Sequence, residues 1–137
     1  MNVSGFGTVI LTNAPVRDAE IFIQHFSFVP VAQLDWFVSL QHPALPGQFL
    51  DLLDAAHPSA PETQRGREAD AMMIALMVED AAAEADRLQA NDVILIKPLA
   101  DEPWGQRRFQ TAGPAGTVIE IVQRIAPDPD WLLANMP

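Results

Sequence analysis

Residues 98–123 read PLADEPWGQRRFQTAGPAGTVIEIVQ. A polar, arginine-bearing strand runs into the turn Gly113-Pro114-Ala115-Gly116, and out of that turn comes an aliphatic strand broken by one acid, Glu120. Proline at the second turn position and a flexible glycine supply the bend mechanically. A single carboxylate in the middle of an apolar strand is costly unless something answers it.

That acid has an earlier counterpart. Gly47-Gln48-Phe49-Leu50-Asp51-Leu52-Leu53 overlays Gly116-Thr117-Val118-Ile119-Glu120-Ile121-Val122, glycine on glycine and acid on acid. Thr8-Val9-Ile10-Leu11-Thr12 likewise overlays Met73-Ile74-Ala75-Leu76-Met77, and a helical stretch follows each. The offset drifts from 65 to 69 residues, as two copies with loops of different length require. The chain therefore reads as a tandem repeat of about fifty residues per unit.

Composition bounds the possibilities. At 137 residues, 49% apolar and 19% charged, the chain can bury one ordinary core and is expected to be a single domain. No apolar run reaches the roughly 18 residues of a membrane span, and the N-terminus lacks a basic region followed by an apolar core. A cytoplasmic protein is expected. The absence of cysteine excludes disulfides, thiolate metal sites and a cysteine nucleophile. A net charge of −10 disfavours nucleic acid and anionic membranes and favours cationic partners, although solubility alone accounts for it.

Periodicity predicts the elements. Strands are expected at 6–12, 31–34, 36–40 and 48–54, with a helix from Pro15 whose apolar positions are Ala19, Phe22, Ile23 and Phe26. Residues 55–70, rich in Pro, Ala and charge, read as a linker. A second strand at 72–79, a helix over 81–90 capped by Asp80, and strands at 93–97, 107–111 and 117–123 complete the copy. The expected fold is α+β, with two βαβββ modules (about 6–54 and 71–123) forming curled mixed sheets around a cup-shaped pocket, and a tail at 124–137 containing a short helix. Alternation puts Asp51 on the face of Phe49 and Leu53, and Glu120 on the face of Val118 and Val122. It also groups Thr8, Ile10 and Thr12 on one face and Met73, Ala75 and Met77 on another.

The doubled βαβββ order, the stretch Pro103-Trp104-Gly105 with Arg107 and Phe109, and the turn leading to Ile119-Glu120-Ile121 resemble the vicinal oxygen chelate superfamily. That group contains glyoxalase I, extradiol dioxygenases and bleomycin-resistance proteins. Many members carry Asp-Pro-Asp-Gly at the turn; this chain keeps Pro and Gly and loses both acids. The resemblance implies a metal site with ligands from the first and last strands of each unit, at Thr8, Asp51, Met73 and Glu120. Only the acids suit a hard or borderline ion, since Thr is a poor ligand and Met a soft one.

No metal cofactor is therefore expected, a divalent metal being the alternative. Two acids in an apolar cup call for a small amphipathic ligand, cationic in the simplest case, whose body meets apolar walls while its charge meets carboxylate. The resemblance implies the same, because metal-free acidic dimers that sequester basic antibiotics belong to that superfamily. The candidate ligand-binding residues are Asp51, Glu120, Thr8, Met73, Phe49, Phe109 and Arg107. Three alternatives stand beside this reading. One is a metal-dependent lyase or isomerase with Glu120 as catalytic group and metal ligand beside Asp51. Another is a non-catalytic dimeric scaffold. The third is an internal ion pair of Asp51 or Glu120 with Arg107 or Arg108. The expected partners are a small molecule and a second copy in a homodimer, with neither nucleic acid nor membrane. His25, His42 and His57 share no strand face with either acid.

Overall fold

The computed structural model describes residues 1–136; Pro137, the last residue of the expected tail, lies outside the described residues. The order of elements is β1 (Phe6–Thr12), α1 (Pro15–His25), β2 (Val29–Leu34), β3 (Phe37–Gln41) and β4 (Gln48–Asp54). It continues with β5 (Met72–Met77), α2 (Ala81–Ala90), β6 (Leu95–Glu102), β7 (Gln106–Ala112), β8 (Thr117–Arg124) and α3 (Pro129–Asn135). This is an α+β fold of two open, mixed, four-stranded sheets, ordered β1-β4-β3-β2 and β5-β8-β7-β6. In each sheet the first strand pairs parallel to the last and the other pairings are antiparallel. The parallel pairing follows from the helix that intervenes after the first strand of each module.

The chain divides into two compact units. The first comprises Met1–Asp70 with the turn segment Pro114–Gly116; the second comprises Ala71–Gly113 and the chain from Thr117 on. Among the described residues no helix is long and apolar enough to cross a membrane.

In the first unit α1 starts with Pro15 at its first position, where a missing N–H costs nothing. Ala14 offers no side-chain cap, and Thr12 substitutes for it: its hydroxyl donates to Asp18 and accepts from the Ala14 N–H at 3.2 Å. The helix buries Ala19 and Phe22 against Ile10, Val38, Leu40, Leu50 and Leu52, all 5% exposed or less. Phe22 and Phe28 meet edge to face at 5.7 Å. Strand β2 begins earlier than the sequence predicts, and Asp35 and Trp36 form the hairpin turn rather than starting β3.

Residues 55–70 do more than connect. The Gly66 N–H donates to Ala55 O (2.7 Å), the Ala69 N–H to Leu11 O (2.8 Å), and the Arg65 guanidinium to Pro58 O and Ala60 O. The segment thereby lays Ala55 and Ala60 on Leu11 and Leu53, beside Trp36 and Phe37, while His57 stacks flat on Trp36 at 3.8 Å. Gly116 closes on the same segment: its N–H donates to Ala69 O, and a Cβ there would lie 2.7 Å from Ala69 O and Asp70 Cα.

In the second unit Asp80 caps α2 by accepting from the Ala83 N–H at 3.0 Å. The helix buries Ala81, Ala85 and Leu88 against the sheet, whose core residues Phe109, Ile119 and Ile121 are at most 2% exposed. Strand β6 runs from Leu95 to Glu102, well past the predicted end at 97, despite Pro98. It is an edge strand with register shifts on both sides of Lys97, and such irregular edges tolerate proline.

Candidate functional site

Register fixes which side chains share a face. In the second unit Ala75 and Gln110 flank Glu120 on the neighbouring strands; Met73 and Ala112 flank Val118, and Met77 and Arg108 flank Val122. This face therefore carries Glu120 among Met73, Met77, Arg108 and Gln110. The opposite face, toward α2, carries Ile119 and Ile121 with Thr111 and Phe109 as their partners.

Glu120 is 8% exposed and answered from within the sheet. Its Oε1 accepts from Arg108 Nη1 at 2.6 Å and from Gln110 Nε2 at 3.1 Å. Arg108 also donates from Nε to Glu102 (3.1 Å) and lies 5.3 Å from the centroid of the Trp104 ring, within cation–π reach. Lys97 approaches Glu102 at 3.4 Å. Two cations and two anions thus form one electrically balanced network, Lys97–Glu102–Arg108–Glu120. The hydrogen bond to Glu120, opposed by burial and reinforced by Glu102, raises the Arg108 pKa above its ordinary value. Burial alone would raise the Glu102 carboxyl, but the hydrogen bonds and charges of Arg108 and Lys97 outweigh it and hold the group below its usual range.

The first unit differs. Val9 and Ser39 flank Asp51, Gly7 flanks Phe49, and Leu11 and Phe37 flank Leu53. Asp51 Oδ1 is buried with no hydrogen-bond partner, the sole side-chain nitrogen or oxygen in that state among the described residues. Around it Val9 and Phe49 remain 49% and 39% exposed, so an apolar, open face surrounds an unanswered carboxylate oxygen.

Three candidates sit elsewhere than the sequence reading put them. Thr8 pairs with Leu50, on the α1 side; the Asp51 face of β1 is Gly7, Val9 and Leu11, one residue out of register. Phe109 is fully buried opposite Ile121, beneath α2, and lines no face with Glu120. Arg107 lies on that same side of the strand as Phe109 and binds Asp101 through Nε (2.6 Å) and Nη2 (3.0 Å). Asp51, Phe49, Met73 and Glu120 lie on the expected faces of their own sheets. Arg108, expected only as an ion-pair partner, and Gln110, outside the expected set, are the residues whose side chains hydrogen-bond Glu120. Counting back from the turn finds both: four residues from Gly113 and four beyond Thr117 are Phe109 and Ile121, which leaves Arg108 and Gln110 on the other side with Glu120.

The donor set does not fit the divalent metal that the resemblance implies. Glu120 already holds a guanidinium, Met73 offers a thioether, and the register partner of Phe49 on β1 is Gly7, which has no donor. Among the described residues no three or more His, Cys, Asp or Glu side chains are placed to hold an ion.

Paired βαβββ modules with an acid on the last strand of each define a protein class, and comparison with known proteins identifies it. The model of the Glyoxalase/Bleomycin resistance protein/Dioxygenase superfamily matches residues 8–121, and the chain belongs to that superfamily. Among solved structures it is similar to a glyoxalase/bleomycin resistance protein/dioxygenase from Nocardioides. That match has a TM-score of 0.76, 19% identity, and covers 94% of this chain and 88% of that one. It is also similar to TnmS3, an antibiotic binding protein from Streptomyces sp. CB03234 (TM-score 0.69, 18% identity, 90% and 96% covered). A third is lactoylglutathione lyase from Agrobacterium tumefaciens (TM-score 0.64, 20% identity, 86% and 91% covered). At these identities the likeness is one of fold. Among curated proteins, none matches the sequence.

Proposed function

We propose that this protein binds a small amphipathic, cationic molecule without a metal, and that Asp51 is its anchor. The observation that carries the reading is the buried Oδ1 of Asp51, which no group among the described residues answers, on a face where Val9 and Phe49 stay open. An unanswered buried carboxylate oxygen is costly in the free protein, and an incoming ammonium removes that cost. Glu120 plays a different part in this reading: Arg108 neutralises it, so it shapes its face rather than attracting charge. The antibiotic-binding activity of TnmS3 supports a binding role on this scaffold. The reading includes a cytoplasmic homodimer; the edge strand β2, exposed along its whole length with Val29, Val31 and Leu34, supports association.

The test uses two matched probes, 1-naphthylmethylamine, charged at neutral pH, and 1-naphthylmethanol, uncharged, titrated calorimetrically in the presence of a chelator. The amine binds more tightly, Asp51→Asn removes its advantage of about tenfold, and added zinc changes neither affinity. Equal binding of amine and alcohol, or an amine affinity indifferent to Asp51→Asn, overturns the assignment.

A further inference from the structure

We infer that Ser59 and His57 form a nucleophilic pair that accepts an acyl group from activated esters, at a site in the segment 55–70 and away from both strand faces. Ser59 is exposed and His57 half-buried. Ser59 Oγ lies 2.8 Å from His57 Nδ1, and the Ser59 N–H also donates to Nδ1 at 3.1 Å. A ring nitrogen that accepts from an amide carries no hydrogen, so the neutral imidazole keeps its proton on Nε2 and the hydroxyl donates to Nδ1. That is the direction a general base requires, with the hydroxyl proton aimed at the lone pair that receives it.

Both partners are held in place. The imidazole lies flat on Trp36, centroids 3.8 Å apart with 3° between the planes, and the His57 N–H donates to Asp54 O at 2.9 Å. Ser59 is fixed from its other side. Arg65 Nη2 donates to Pro58 O (2.8 Å) and Ala60 O (2.9 Å), the carbonyls before and after Ser59, and Ala60 itself is packed at 1% exposure.

The same neighbours answer the charges that acyl transfer creates. Ser59 Oγ bonds to the ester carbonyl carbon as its proton passes to Nδ1. The bond from that carbon to the leaving oxygen then breaks, and the departing phenolate takes the proton from the ring. An O-acylserine and a phenol result, with His57 neutral again. The ring's transient positive charge lies over the indole face, which attracts cations, and the oxyanion develops in the field of the Arg65 guanidinium. Because Ser59 is exposed, a small acyl group on a good leaving group is the fitting donor. Asp51 takes no part.

The experiment treats the full chain with 4-nitrophenyl acetate at neutral pH and maps the acetyl groups over time by mass spectrometry of its peptides. Ser59 is acetylated at least about tenfold faster than Ser4, an exposed serine with no histidine bond among the described residues. His57→Gln, which keeps an acceptor but no base, removes that advantage, and Ser59→Ala removes the corresponding part of nitrophenolate release. The amino terminus and Lys97, the one lysine of the sequence, are the competing nucleophiles. Acetylation confined to those two amines, equal labelling of Ser4 and Ser59, or a Ser59 rate indifferent to His57→Gln each overturns the inference. A failed amine test at Asp51 leaves these outcomes untouched, so the two assignments fail separately.

Discussion

Arg108 Nη1 lies 2.6 Å from Glu120 Oε1, and that contact separates the two acids that the repeat makes equivalent. Glu120 is answered by its own sheet; Asp51, at the matching place in the other copy, keeps a buried oxygen with no partner among the described residues. One side chain, present in the second module only, thus turns a symmetric pair of positions into two chemically different ones.

Because the side chains of Arg108 and Glu120 are only 20% and 11% exposed, breaking the pair on one side strands a sheltered charge. Arg108→Ala is expected to destabilise the protein by about 3 kcal/mol. Arg108→Met/Glu120→Gln, which removes both charges, recovers most of that loss. Urea denaturation of the two variants and of each single change gives the coupling directly.

Asp51 predicts the opposite sign. Its unanswered oxygen is a cost to the free protein, so Asp51→Leu is expected to raise stability by about 1–2 kcal/mol while abolishing the advantage of a cationic probe. A stabilised variant that no longer distinguishes 1-naphthylmethylamine from its alcohol is the signature of an anchor held in readiness. A destabilised one means that Asp51 has a structural partner after all.

How far the sequence spoke depended on how cleanly each strand alternates. The acids of β4 and β8 were legible because each follows a glycine turn and sits between aliphatic neighbours, Leu50 and Leu52 or Ile119 and Ile121, that face a helix. Strand β1 misled by one residue because its end is buried on both faces: Ile10, Leu11 and Thr12 are all 9% exposed or less, which erases the period-two signal. Aligning Thr8 with Met73 by sequence alone carried that slip into the site, where register places Gly7. Phe109 reads as a pocket residue because it is an aromatic on a strand that can line the cup, yet Arg107 on the same side reaches outward to Asp101 while the ring goes under α2. The Arg108–Glu120 pair was among the alternatives the sequence offered, whereas the Arg108–Glu102 contact needs the bulged edge strand β6, which strand periodicity does not predict.

The pH response of the second unit follows from two lowered carboxyls. The hydrogen bond from Arg107, only partly offset by desolvation, lowers Asp101 from 3.8, and Arg108 with Lys97 overcomes burial to lower Glu102 from 4.5. A folded-state pKa below the unfolded value contributes stability that is complete above the unfolded pKa and is lost as pH falls through the folded one. The β6–β7 hairpin is therefore expected to keep its amide protection from neutrality to just above pH 4.5 and to lose it selectively below, with Asp101→Asn/Glu102→Gln flattening the profile. Hydrogen exchange across that range, read hairpin against α2, tests it.

The lost metal chemistry yields the last prediction. Met73 lies two residues along β5 from Ala75, the partner of Glu120, so a histidine there projects from the same face as the carboxylate. Met73→His alone is nevertheless expected to leave zinc affinity unchanged, because Arg108 occupies Glu120 and its positive charge opposes a second cation. Met73→His/Arg108→Ala frees the carboxylate and is expected to raise zinc affinity by at least about tenfold, measured by calorimetry against the single variants. A gain from histidine alone would mean that Arg108 yields its place readily and that the ion pair is no barrier. No gain even in the double variant would mean that missing ligands, rather than the internal guanidinium, keep the metal out.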